Sequence, residues 1–355
     1  MERPIFKPVG TRAEDLDPSS LVVDAGVLEK NVETVHSFFA SSEAKLRPHM
    51  NAHLCPALAH RQMAAGGTVG GIGVSTIGQA EAFAGSGLND IFVTNVVATA
   101  PKIARLCALA QRAHMTVAVD DAGVVGSLSE AAVANGVALD VVVDVNTRLG
   151  LSGVEPGAPA VQLARAVAGS EGLNFAGFMT YEGPILADNQ DLLAAESRKW
   201  IQMVLDTRED AEREGLEVGT VSVGGTHNYE IAGSMAGVTE VQAGSYALMD
   251  QRYRAHRPQL QPAARVLAVI VSTPEPGVAI MDAGQKAIGA DTGMPRIDNP
   301  PGVEVKPMSA EHGSLVVREG SVALGDKVWV VPWDVGHTAN LHDYMQVVRD
   351  GRLEA

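Results

Sequence analysis

From Leu21 onward, short Val- and Ile-rich runs alternate with Ala-rich stretches in which apolar residues recur at helical spacing. The runs that read as strands are Leu21 to Val23, Lys45 to His49, Val69 to Val74, Ile91 to Thr94, Thr116 to Val119, Val141 to Asn146, Phe175 to Tyr181, Thr220 to Val223 and Glu240 to Gly244. Between them, helices are predicted over Thr76 to Gly85, Ala100 to His114, Pro159 to Ala168 and Leu192 to Gly215. Repeated units of this kind pack as a parallel sheet with helices outside it, and the count fits a (β/α)8 TIM-type barrel ending near Ala255. In such a barrel the active site gathers at the C-terminal ends of the strands.

After His256 the texture changes. Pro258, Pro262, Pro274, Pro276, Pro295, Pro300 and Pro301 punctuate short β-rich runs such as Ala264 to Ser272, Val278 to Met281, Ser314 to Val317 and Lys327 to Val331. The expected organisation is an α/β barrel domain over residues 1–257, with a short N-terminal extension, and an all-β domain over residues 258–355.

At 355 residues and 46% hydrophobic content the chain is able to build two cores. A net charge of -15, with no Lys/Arg cluster interleaved with aromatics, argues against nucleic acid and for a small-molecule partner. The N-terminus lacks an apolar segment of signal-peptide length, and no run approaches the roughly 20 apolar residues of a membrane span, so a soluble cytoplasmic protein is expected. The two cysteines, Cys55 and Cys107, form no CxxC pair and suggest neither a disulfide nor a thiolate zinc site. Cys55 reads as a small buried residue at a helix start, although a helix N-terminus also lowers a thiol pKa.

The stretch Leu46 to Pro56, LRPHMNAHLCP, resembles the opening of the active site in the D-threonine aldolase and D-serine dehydratase family, whose barrel is that of alanine racemase and which uses pyridoxal phosphate (PLP). That motif runs R-P-H-x-K-T-H-K, and its first lysine forms the Schiff base. Arg47, Pro48, His49 and His53 match it, while Asn51 stands at the lysine position and Leu54 at the second lysine. An amide forms no imine, and PLP chemistry depends on a lysine amine. Lys45 shares strand parity with Asn51 but lies roughly 20 Å away along a strand. Lys30, Lys102 and Lys199 fall in predicted helices, Lys7 in the N-terminal tail, and Lys286, Lys306 and Lys327 in the later domain. The resemblance implies the fold type III architecture and a homodimer.

The same resemblance reaches further along the chain. Ser222 to Thr226 and Thr239 to Asp250 look like the family's phosphate-binding loops, which marks Gly224, Gly225, Thr226, Gly244, Ser245 and Tyr246 as candidate anion contacts; tight barrel turns without an anion are the alternative. In Asp144 to Gly157 the family's arginine for the PLP ring nitrogen falls on Leu151, with Arg148 three residues earlier. In Val331 to Gly351 the family's two metal-ligand positions fall on Asp334 and Gly336. Asp334, His337 and His342 are left as candidates for an altered zinc or manganese site, to which His53 would converge. Tyr181 and Glu182, in TYEG, suit acid/base work at a strand end, and His227 and Tyr229 follow the glycine pair. Lys286 reads as structural support, and His312 as support or chemistry.

Three readings follow. The first is a lyase performing retro-aldol cleavage or elimination on a small hydroxylated substrate by side-chain acid/base catalysis at His49, His53, Arg148, Tyr181, Glu182 and His227, without covalent PLP and with an optional divalent metal. The second is a non-catalytic protein that binds a small anion or non-covalent PLP. The third is a PLP-dependent aldolase-like enzyme that uses another lysine.

Overall fold

A computed structural model describes residues 5–187 and 189–355; residues 1–4 of the N-terminal extension and residue 188 lie outside the described residues. By internal contacts the chain divides into two units, one of Met1–Thr34, Ala52–Leu54 and Ser245–Ala355, the other of Val35–Asn51 and Cys55–Gly244.

The first strand, β1 (Ser20–Asp24), departs from the expected barrel order. Its apolar run has the texture of a barrel strand, but texture does not name a partner, and Leu21, Val22 and Val23 are buried inside the other sheet. After α1 (Ala25–Ser41) the barrel follows: β2 (Lys45–Leu46), α2 (Pro56–Ala64), β3 (Ile72–Val74), α3 (Ile77–Gly85), β4 (Asp90–Val93), α4 (Ala100–Ala110), β5 (His114–Val119), α5 (Ala122–Asn135), β6 (Leu139–Asp144), α6 (Ala158–Ala168), β7 (Leu173–Met179), α7 (Gln190–Arg213), β8 (Thr220–Val223), α8 (Tyr229–Gly233) and β9 (Glu240–Val241).

The eight barrel strands are parallel in the order β2-β9-β8-β7-β6-β5-β4-β3. The two ends of that sheet meet through the parallel bridges Leu46↔Thr68 and His49↔Gly73, which close it. Strands such as β5 and β6 are apolar on both faces because a closed parallel sheet is covered inside and out. Local chemistry sets the helix starts: Thr76 caps α3 through Gln79 N, and Asp121 caps α5 through the N–H groups of Gly123 and Val124.

At the strand starts a belt of charge ties the barrel together. Buried Arg47 donates from Nε to Glu240 at 2.8 Å and from Nη1 to Asp90 at 2.8 Å. His114 reaches Asp90 Oδ2 at 3.1 Å and Asp140 Oδ2 at 2.8 Å. This is the end of a barrel where interactions serve stability.

The other unit holds α9 (Gln251–Arg254), β10 (Ala264–Glu275), β11 (Val278–Met281), β12 (Arg296–Asn299), β13 (Val303–Val305), β14 (Gly313–Val317), β15 (Lys327–Val331), α10 (Val335–Ala339), β16 (Met345–Arg349) and β17 (Arg352–Leu353). Its nine-stranded sheet runs β13-β14-β11-β10-β1-β16-β17, with β15 joining β10 to β12. The pairing of β1 with β10 is antiparallel and that of β1 with β16 parallel. Leu16, Val22, Leu267, Val348 and Leu353 form a core cluster beneath it. Among the described residues no helix is long and apolar enough to cross a membrane.

Candidate functional site

The C-terminal ends of β2, β6, β7 and β8 bring most of the sequence-predicted residues of the barrel together. Behind β2, His49 is 9% exposed, and its Nδ1 accepts the Asn51 N–H at 3.4 Å. With Nδ1 an acceptor, Nε2 carries the proton and donates to Thr94 Oγ1 at 3.1 Å, and the Thr94 hydroxyl donates onward to Val74 O at 3.2 Å. Burial pushes the His49 pKa down to about 4 against the opposing Asn51 hydrogen bond, so the ring is neutral at pH 7. A Cβ at Gly73 would stand 2.8 Å from the His49 ring, and one at Gly244 would collide with His49 O; glycine at both positions lets β2 seat this way. Asn51 itself is exposed.

The ends of β7 and β8 are locked by Glu182 and Asn228, both fully buried. Glu182 Oε1 accepts Asn228 Nδ2 at 2.5 Å, and Oε2 accepts the Gly224 N–H at 3.3 Å. Asn228 Oδ1 accepts the Gly225 N–H at 3.0 Å, and Nδ2 also faces Ser197 Oγ at 3.2 Å. Arg148, after β6, donates to Glu182 O at 2.8 Å. Burial raises the Glu182 pKa, opposed by the hydrogen bonds from Asn228 and Gly224 and by the charge of Arg148. His227, fully buried, places Nε2 3.9 Å from Glu182 Oε1. Tyr181 is 45% exposed, in contrast to Glu182 beside it.

This arrangement changes the sense of two expectations. The N–H groups of Gly224 and Gly225 already face Glu182 and Asn228, so the glycine pair is a braced turn. Glu182 turns both oxygens inward, which makes it a brace and not a group presented to solvent. Thr180 adds to the bracing by donating to Val145 O at 2.8 Å and meeting Thr147 Oγ1 at 2.9 Å. Leu151 is 83% exposed.

The remaining sequence-predicted residues belong to the other unit. His53 and Tyr246 are buried, and Ser245 O accepts the Met249 N–H at 2.6 Å. Asp334 is the N-cap of α10. His337 turns Nδ1 towards Asp291 Oδ1 at 3.1 Å, and His342 turns Nε2 towards Ala287 O at 2.8 Å. Among the described residues no three His, Cys, Asp or Glu side chains gather as a metal-holding group. The Asp-x-x-His spacing is explained by capping: a helix-starting Asp accepts the N–H three residues on.

Sequence reading missed Thr94, Asn228, Ser197 and Arg252. Only Asn228 carried a signal, since Asn after a Gly-Gly-Thr turn is a residue able to hold that turn through its side chain.

The family model described as the alanine racemase N-terminal domain matches residues 23–252, and the one described as a putative serine dehydratase domain matches residues 263–348. A D-threonine aldolase of Arthrobacter sp is 34% identical over 346 residues, which cover 96% of this chain and 91% of that protein. A 3-hydroxy-D-aspartate aldolase of Paracoccus denitrificans is 31% identical, covering 97% of this chain and 92% of that protein. Among solved structures, the D-threonine aldolase from Filomicrobium marinum superposes with a TM-score of 0.94 at 35% identity, over 98% of this chain and 96% of that one. A cysteine-to-alanine variant of a D-threo-3-hydroxyaspartate dehydratase, solved in the metal-free form, gives a TM-score of 0.85 at 25% identity over 97% of each chain. The chain belongs to the D-threonine aldolase and D-serine dehydratase family of lyases, built on the alanine racemase N-terminal domain and its barrel.

Proposed function

We propose that this chain is an aldolase- or dehydratase-type lyase whose substrate is a small 3-hydroxylated D-amino acid or a close structural analogue. The observation that carries the reading is relatedness over almost the whole chain, 34% identity with a D-threonine aldolase across 96% of it. The compounds in the relatives' names share a hydroxyl on the carbon next to the one bearing amine and carboxylate. Retro-aldol cleavage takes the proton from that hydroxyl, turns the C–O bond into a carbonyl and leaves the electron pair of the broken C–C bond on the α-carbon. Elimination instead removes the α-proton and expels the hydroxyl as water.

Exposure sorts the candidate residues into those a solute reaches and those it does not. Arg148 and Tyr181 are exposed at the barrel mouth. In this reading the guanidinium binds the substrate carboxylate through charge-assisted hydrogen bonds, and the phenol handles the hydroxyl proton. Glu182, His227 and His49 are buried and act as positioning groups.

The residues present do not fit a PLP imine. Of the eight lysines in the chain, Lys45 alone lies on a barrel strand, at the start of β2, where its ammonium donates to Phe39 O at 3.0 Å and Ser42 O at 2.6 Å. Five residues beyond that strand, in a short helical turn, Asn51 stands where the family resemblance has its lysine. Without a PLP imine, the electron pair left on the α-carbon calls for a carbonyl or comparable acceptor in the substrate, so an analogue that carries one is favoured over the simple 3-hydroxylated D-amino acid.

Family membership favours a second reading, a PLP-dependent aldolase that uses another lysine, and relatedness taken alone supports it better than the PLP-free one. Incubation with PLP, borohydride reduction and intact-mass measurement separates the two. The PLP-free reading expects no lysine adduct, and a single stoichiometric adduct would establish the other.

A further inference from the structure

Asp334 and Arg252 meet in the β-rich unit. Asp334 Oδ1 accepts the His337 N–H at 3.1 Å, and Oδ2 accepts Arg252 Nη1 at 3.0 Å. Two residues before Arg252, Asp250 caps α9 by accepting the Tyr253 N–H at 3.2 Å, and its other oxygen accepts the Val335 N–H at 3.2 Å. The backbone bonds Gln251 N to Pro332 O, 2.9 Å, and Arg252 N to Trp333 O, 3.1 Å, hold these two cap segments side by side.

Two carboxylates and one guanidinium thus share this place. A divalent ion takes lone pairs from several donors at once, typically about four for zinc. Here both Asp334 oxygens already accept hydrogen bonds, and His337 and His342 turn ring nitrogens to Asp291 and Ala287. A guanidinium stays charged at every accessible pH and does not dissociate from the chain. A metal cation arriving beside it would meet like charge in front of the carboxylate it needs.

We propose that Arg252 stands in for a divalent cation at Asp334, so that this chain binds no metal there, unlike a relative for which a metal-free form is a distinct state. The inference is independent of the lyase reading, because metal content is measured without turnover.

The test uses the full chain equilibrated with millimolar Mn2+ or Zn2+, desalted, and analysed for metal by mass spectrometry, alongside melting in EDTA and in Mn2+. The wild-type protein is expected to retain less than a tenth of an equivalent of metal and to melt at the same temperature in both buffers. Arg252→Gln is expected to gain several degrees on addition of Mn2+, because Asp334 then lacks its cation. Arg252→Lys, which keeps the charge, is expected to stay insensitive. Near-stoichiometric metal on the wild-type chain that is lost in Asp334→Asn would overturn the proposal, as would an Arg252→Gln protein that folds and ignores Mn2+. If Arg252→Gln fails to fold, the wild-type and Asp334→Asn measurements decide alone.

Discussion

Asn228 Nδ2 lies 2.5 Å from Glu182 Oε1, between two side chains that are both fully buried, and this contact joins the end of β7 to the turn after β8. Asn228→Ala would leave the Gly225 N–H and one Glu182 oxygen without their present partners. A buried polar group left unpaired costs about 1–3 kcal/mol, and the variant should lose stability in that range by urea unfolding. Asn228→Asp should lose more, because it sets a second carboxylate against Glu182. A loss below about 0.5 kcal/mol for the alanine variant would mean that the turn is held by other contacts.

Arg47 bridges three strands at the opposite end of the barrel. Breaking a buried ion pair by removing one partner costs about 3–5 kcal/mol, so Arg47→Ala should be among the most damaging single changes in the barrel. Arg47→Lys should recover only part of the loss, since one ammonium does not reproduce a fork aimed at both Glu240 and Asp90. Equal stability of the lysine variant and the wild type would show that charge alone suffices.

Two titrations have the same sign. Burial pushes the Asp144 pKa up to about 6 from 3.8, against the Ser152 hydrogen bond, with Asp120 nearby adding to the rise. Its contribution to stability is therefore fully present below 3.8 and is lost as pH rises through about 6. Burial lowers the His114 pKa, but its bonds to Asp140 and Asp90 outweigh that and hold it above 6.5, so its contribution is present below 6.5 and lost as pH rises through the folded-state pKa. Asp144→Asn should flatten the melting profile between pH 4 and 6 and raise the melting temperature at pH 7. A lower melting temperature for that variant at pH 7 would show that the carboxylate is needed charged.

The barrel was legible because its βα rhythm is local, each apolar run and cap lying within a few residues of the next. The placement of β1 was not, since Leu21 to Val23 reads the same in either sheet and only its pairing with β10 and β16 decides. The site was legible as a set of residue types and less so as roles. Glu182 and Asn228 are 46 residues apart, and Arg252 and Asp334 are 82 apart, so no spacing rule finds either contact. Asp334 and His337 looked like paired ligands because helix capping and metal binding favour the same short spacings.

Exposure of Tyr181 and Arg148 sets a further expectation. If the substrate meets these two groups, Tyr181→Phe should lower kcat with little change in KM, and Arg148→Gln should chiefly raise KM for carboxylate substrates. The reverse pattern would exchange their roles.

The most direct measurement is product analysis with D-threonine, 3-hydroxy-D-aspartate and their L-isomers, each with and without added PLP and Mn2+. Aldehyde plus glycine reports cleavage, and a 2-oxo acid plus ammonia reports dehydration. With a carbonyl-bearing analogue assayed beside them, turnover of that analogue or of at least one D-configured substrate is expected, at a rate that PLP does not raise. Absence of product from every compound under all conditions would contradict the lyase assignment.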